Sequence, residues 1–142
     1  MKFLGDTPED QIENIRDMLS QVSGNHMSFD TELRNIGIFG SSYNPRVIWF
    51  GMEKTHKIIT LAEDVLNSLE EIGFERDRQN FRPHITVGRI KSIRDKVHFQ
   101  ETLDAFKDTF IQHIPVEEYH LIESRLLPEG PEYETIETFR LI

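Results

Sequence analysis

Residues 81–90 read Phe81-Arg82-Pro83-His84-Ile85-Thr86-Val87-Gly88-Arg89-Ile90. Past Pro83 the side chains alternate, His84 and Thr86 against Ile85 and Val87, which is the pattern of a strand that opens just after a proline. Downstream, the spacing predicts a helix over 100–112 that buries Leu103, Phe106 and Phe110. Strands over 119–127 and 133–141 follow, split by Pro128-Glu129-Gly130-Pro131. The second half therefore reads strand, helix, long strand, strand. Upstream, a helix is expected over 7–21, with Thr7 as N-cap, Pro8 in the first turn, Ile12, Ile15, Leu19 and Val22 on one face, and Gly24 as its stop. Strands over 28–39 and 46–51 come next, joined by the turn Gly40-Ser41-Ser42-Tyr43-Asn44-Pro45. The two halves match if the first also began with a strand, whose place is at or before Met1. Between the halves, Ile58, Leu61, Val65, Leu69 and Ile72 form the stripe of a helix over 57–71 that Gly73 ends. The expected order is α-β-β-α-β-α-β-β, in one folding unit over 1–142.

Composition narrows the function classes. The 142 residues are 37% apolar and 29% charged, enough for one domain with a core. No apolar run reaches the roughly 18 residues of a membrane-spanning helix, and Met1-Lys2-Phe3-Leu4 passes straight into Gly5-Asp6 with no signal-peptide stretch. Cysteine is absent, which excludes disulfides, thiolate metal sites and a thiol nucleophile. Together these read as a cytoplasmic protein. The net charge of −9 argues against general coating of a nucleic-acid duplex, which calls for a basic face.

One window runs against that charge. Residues 82–96 hold Arg82, Arg89, Lys91, Arg94 and Lys96 against Asp95 alone, a local charge of 5 − 1 = +4. Residues two apart on a strand share a face, so His84 and Thr86 project side by side. An imidazole exchanges protons near neutral pH, a hydroxyl donates to a phosphate oxygen, and guanidinium forks match phosphate geometry. The set describes a site for a phosphate ester. The same residues also fit a strand with one exposed histidine and a solvated charge run.

Residues 81–89 resemble the second signature of the 2H phosphoesterases, and more narrowly of the bacterial and archaeal RNA 2′,3′-cyclic phosphodiesterases, also labelled 2′-5′ RNA ligases. Three further stretches agree in order and spacing. Lys2-Phe3-Leu4-Gly5-Asp6 is similar to the segment that follows the family's first H-x-T-x. Pro45-Arg46-Val47-Ile48-Trp49-Phe50-Gly51 is similar to its central strand, and residues 123–133 to its C-terminal hairpin. The resemblance implies an α+β, duplicated two-lobe fold, each lobe an antiparallel sheet with helices outside, and one H-x-T-x in each lobe. It implies hydrolysis of a 2′,3′-cyclic phosphate at an RNA end to a 2′-phosphate, by histidine acid–base catalysis without a metal or other cofactor. His84 would be one catalytic residue, and Thr86, Arg82 and Arg89 would hold the phosphate. Thr86 ranks above Arg89, because Arg89 is an odd number of residues from His84 and shares its face only if a bulge at Gly88 redirects it.

The first signature, in a strand–helix–strand unit, should stand directly before Lys2. Without it, little or no turnover is expected of residues 1–142 themselves, and a homodimer is expected to cover the incomplete sheet. RNA ends or small cyclic nucleotides are the expected partners, with no membrane. A noncatalytic module that binds RNA ends or nucleotides, 2′-5′ RNA ligation, and a fragment that pairs through a sheet edge are the competing readings. His26-Met27-Ser28 lies after the first helix, the wrong place in the repeat for the missing histidine. His56, His98, His113 and His120 show no metal-ligand spacing. Trp49 reads as core, and so do Phe39 and Tyr43, although both are near enough to the turn to stack on a base. Arg125 and Ser124 alternate, so only one of them can face a ligand.

Overall fold

A computed structural model describes residues 2–41, 43–76 and 81–142. The elements are α1 (Glu9–Ser23), β1 (Phe29–Ser41), β2 (Asn44–Glu53), α2 (His56–Glu71), β3 (His84–Arg89), α3 (Lys96–Phe106), β4 (Phe110–Val116), β5 (Glu118–Leu127) and β6 (Gly130–Arg140). The fold is α+β. β1 with β2, β2 with β3, and β5 with β6 are antiparallel pairs. Ser41 pairs with Asn44 across the β1–β2 turn, and Ser42 of that turn, like Met1, lies outside the described residues.

Backbone packing divides the chain into two compact units, 1–29 with 59–81 and 115–142, and 30–58 with 82–114. Neither is a continuous piece of chain, so each is assembled from segments far apart in sequence. The first unit holds α1, most of α2 and the β5–β6 hairpin. Ile15, Leu19 and Val22 of α1, Leu61, Ala62, Val65, Leu66 and Leu69 of α2, and Leu121 and Phe139 of the hairpin are among its buried apolar side chains. Each such side chain contributes about 1.5–3 kcal/mol of transfer free energy. Tyr119 stacks on Phe139 at 5.3 Å and donates its hydroxyl to the Leu19 carbonyl at 2.5 Å. His26, just past α1, bonds Asp64 through Nε2 at 2.9 Å, a structural contact.

The second unit is a four-stranded sheet in the order β3-β2-β1-β4, with α3. Leu33 is buried on β1, as is Thr31, whose hydroxyl donates to the Glu53 carbonyl at 2.6 Å. Glu32 accepts from Lys54 at 2.5 Å, and that ammonium holds its carboxyl below the usual range.

Three expectations are corrected. Thr7 does not cap α1: Pro8 stands at the cap, and the Thr7 hydroxyl donates to the Gly5 carbonyl at 3.2 Å. The third helix spans Lys96–Phe106, not 100–112, because the Asp95 carboxylate accepts from the His98 N–H at 2.9 Å and starts it four residues sooner. Residues 110–116 form β4 beside β1, so Phe110 is a strand residue and is 43% exposed. Ile111, Ile114 and Val116 are β-branched and are the less exposed side chains there, and that β-branched run decides for strand.

Candidate active site

β3 begins one residue after Pro83 and is the edge strand of its sheet, so its outer side lies open to a ligand. Gly51 pairs with His84 and Trp49 with Thr86. The register then shifts by one residue: Ile48 pairs with Gly88 and Val47 with Arg89, which leaves Val87 as the extra residue of a bulge. Gly51, Trp49 and Val47 are two apart on β2 and share a face, and directly paired residues point the same way. His84, Thr86 and Arg89 therefore stand on one face. The odd spacing that ranked Arg89 second is cancelled by the bulge.

Two contacts fix the His84 ring. Nδ1 lies 2.7 Å from the Arg82 carbonyl oxygen. A carbonyl only accepts, so Nδ1 carries the hydrogen and Nε2 presents its lone pair. The Phe39 ring meets the imidazole edge-on, with centroids 5.1 Å apart and planes at 88°. Phe39 in turn leans on Trp49 at 5.5 Å. The Trp49 indole lies over Gly37, where a Cβ would collide with three of its ring carbons. It is half-buried, and its Nε1 has no hydrogen-bond partner among the described residues. This row of Gly37, Trp49, Phe39 and His84 supports the imidazole from beneath.

Arg82 serves the site through its backbone carbonyl. Phe39 and Tyr43, read from the sequence as core, are 41% and 83% exposed. Phe39 stands near the hairpin turn at the end of β1. Sequence reasoning missed its contact with His84. The signal was available only through register: Phe39 pairs with Val47 and Val47 with Arg89, so all three belong to the His84 face. Arg125 is engaged by Glu123 at 2.9 Å and Glu134 at 3.3 Å, which raise its pKa. His113 stands 3.5 Å from Glu32, and His120 bonds the Thr138 hydroxyl at 3.0 Å. Among the described residues no three acidic or imidazole groups converge to hold a metal ion, and no helix is long and apolar enough to cross a membrane.

An imidazole held through Nδ1 thus stands on one sheet face with the side chains of Thr86 and Arg89. Residues 2–126 match the sequence profile of the 2′-5′ RNA ligase superfamily. The chain belongs to that superfamily, whose members are 2H phosphoesterases. It is 33% identical to an RNA 2′,3′-cyclic phosphodiesterase of Aquifex aeolicus, over 99% of this chain and 76% of that protein. It is 30% identical to the enzyme of the same name from Archaeoglobus fulgidus, over 96% and 75%. The chain thus spans about three-quarters of these relatives' length. In structure it resembles a protein of Thermus thermophilus, with a TM-score of 0.76, 27% identity, and coverage of 98% of this chain and 74% of that one. It shares its fold with E. coli LigT, crystallised with 3′-AMP, at a TM-score of 0.75, 20% identity, and coverage of 99% and 74%.

Proposed function

We propose that this protein is an RNA 2′,3′-cyclic phosphodiesterase in which His84 is an acid–base residue. The observation that carries the reading is the contact of His84 Nδ1 with the Arg82 carbonyl, which leaves Nε2 as the ring nitrogen for a ligand, on the same face as Thr86 and Arg89. In the reaction a water oxygen attacks phosphorus, the bond from phosphorus to the 3′-oxygen breaks, and that oxygen takes a proton. A 2′-phosphate and a 3′-hydroxyl remain. One group draws the proton from water and a second gives one to the leaving oxygen, and each is worth about 10²–10⁴ in rate. His84 fills one of these roles. Thr86 donates to a non-bridging oxygen, and Arg89 and Arg82 supply positive charge to the phosphate. The relatives' printed activity supports the substrate class, and nucleotides crystallised with LigT fit a site for a nucleotide.

The test is a single-turnover assay with protein in excess over a 2′,3′-cyclic nucleotide, followed by ³¹P NMR. In that format a rate lowered by the about 10²–10⁴ of one acid–base group is still measurable. The expected product is the 2′-phosphate, and His84→Ala should slow its formation by the same factor while nucleotide binding persists. Binding without any hydrolysis would favour the noncatalytic module. A 3′-phosphate product, or an unaffected His84→Ala, would overturn the assignment.

We also place the protein in the cytoplasm, read it as one folding unit, and propose that it forms a homodimer. The support for the dimer is the β5–β6 hairpin, a two-stranded sheet. Ile122, Leu126 and Tyr133 share one face of it by register and are 50%, 86% and 67% exposed.

A further inference from the structure

Beyond the His84 face, the second unit has a cavity of about 650 Å³ at the far end of β3. Its apolar lining is Ile48, Ile90, Ile93 and Phe99, and its cations are Arg89, Lys91 and Arg94. The apolar four are half-buried, and the basic three are exposed. In this acidic chain five of the nine described arginines have found a carboxylate: Arg16, Arg34, Arg76, Arg125 and Arg140. Arg89, Lys91 and Arg94 pair with no described carboxylate. Asp95 also lines the cavity, but its carboxylate is spent on the His98 N–H at the start of α3. Three such cations above an apolar floor, one of whose walls is an aromatic ring, match a phosphate joined to a flat base.

The position excludes the reacting phosphate as the ligand. Ile48 alternates with Trp49 on β2, so the cavity opens on the face of the sheet opposite His84. Five residues at ~3.3 Å each put the Arg89 backbone roughly 16 Å along the strand from His84, so Arg89 brings charge toward the reacting phosphate only along the length of its side chain, while Lys91 and Arg94 lie further on. β3 is the edge strand, and among the described residues no further strand flanks it. Arg89 belongs to both places: register puts it on the His84 face, and its side chain lines the cavity at the strand's end. A 2′,3′-cyclic phosphate closes the 3′ end of an RNA strand, so every other nucleotide lies on its 5′ side.

We propose that this cavity is a subsite for a nucleotide of single-stranded RNA on the 5′ side of the cyclic end, with Lys91 and Arg94 on its phosphate and Phe99 against its base. The proposal rests on the function proposed above, which supplies the RNA end. It makes an oligonucleotide, not a cyclic mononucleotide, the preferred ligand. The experiment measures binding by fluorescence anisotropy and so needs no turnover. The probes are a labelled six-nucleotide RNA ending in a 2′,3′-cyclic phosphate, the same RNA ending in a 3′-hydroxyl, and a cyclic mononucleotide as competitor. The double variant Lys91→Ala/Arg94→Ala should weaken the cyclic-ended RNA about tenfold and lower its salt slope by about 0.7, the value for one neutralised phosphate on a single strand. The cyclic mononucleotide should lose less than about threefold, since one nucleotide cannot span both places. Lys57→Ala/Lys107→Ala removes the same charge elsewhere and should leave oligonucleotide affinity within about twofold, because screening weakens charge effects at a distance. Equal weakening of RNA and mononucleotide, or equal weakening by the two double variants, would overturn the subsite. If both RNAs weaken tenfold in Lys91→Ala/Arg94→Ala while no cyclic end is ever hydrolysed, the subsite stands and the proposed activity falls.

Discussion

Gly37→Ala should unseat His84 from a distance. At Gly37 a new Cβ would lie 2.7 Å from Trp49 Cε2, and Cζ2 and Cη2 would be nearer still. Ordinary contact begins at 3.4 Å, so even Cε2 must retreat by 0.7 Å (3.4 − 2.7) and the rest of the ring by more. The obstacle is a rigid indole and not the free end of a chain, so rotating a side-chain tip does not relieve it. Overpacking of this kind costs about 1–3 kcal/mol. Gly→Ala also removes unfolded-state entropy worth about 0.4–1 kcal/mol, which leaves a net loss near 1–2 kcal/mol. Urea unfolding followed by tryptophan emission reads this directly, because Trp49 is the chain's only tryptophan. The displaced ring pushes on Phe39 and through it on His84. Misplacing a catalytic group by about 1 Å lowers turnover by as much as 10²-fold. Gly88→Ala is the control for stability: nothing lies within 4 Å of its Cβ position, so a change of no more than about 0.5 kcal/mol is expected. If Gly37→Ala matches the parent in urea midpoint and emission maximum, the stacked row does not hold His84 in place.

Alkaline pH should reveal Tyr119. Burial pushes its phenol from an ordinary 10 up to about 12, and Ser23 draws it partly back down. The folded state favours the protonated phenol, so its contribution is complete below pH 10 and is lost as pH rises toward and through 12. The full difference would be about 2.7 kcal/mol, and partial exposure reduces it to roughly 1–2. Urea midpoints between pH 9 and 12 should fall more steeply in the parent than in Tyr119→Phe, and parallel curves would refute the assignment. For the dimer, sedimentation should show a monomer–dimer equilibrium that Leu126→Lys shifts to monomer. A parent that stays monomeric at all concentrations ends that proposal.

The sequence by itself determined which chemistry the chain carries. The alternation around His84 and Thr86 was legible because strand period is a local property of backbone geometry. The helix over 57–71 was legible for the same reason, since five apolar side chains at helical spacing leave little choice of face. Local reading failed where two local signals competed. Phe106 and Phe110 fit a helical stripe, but the Asp95 cap and the β-branched run of 110–116 moved the helix back and made a strand. Tertiary structure alone decided which residues join His84. Arg89 counts as opposite-facing on its own strand and becomes same-facing only through the extra residue at Val87. Phe39, forty-five positions from His84, reaches the imidazole only because β1 and β2 pair in one particular register. Register is set by the packing of partner strands, a property of pairs, and no single segment encodes it.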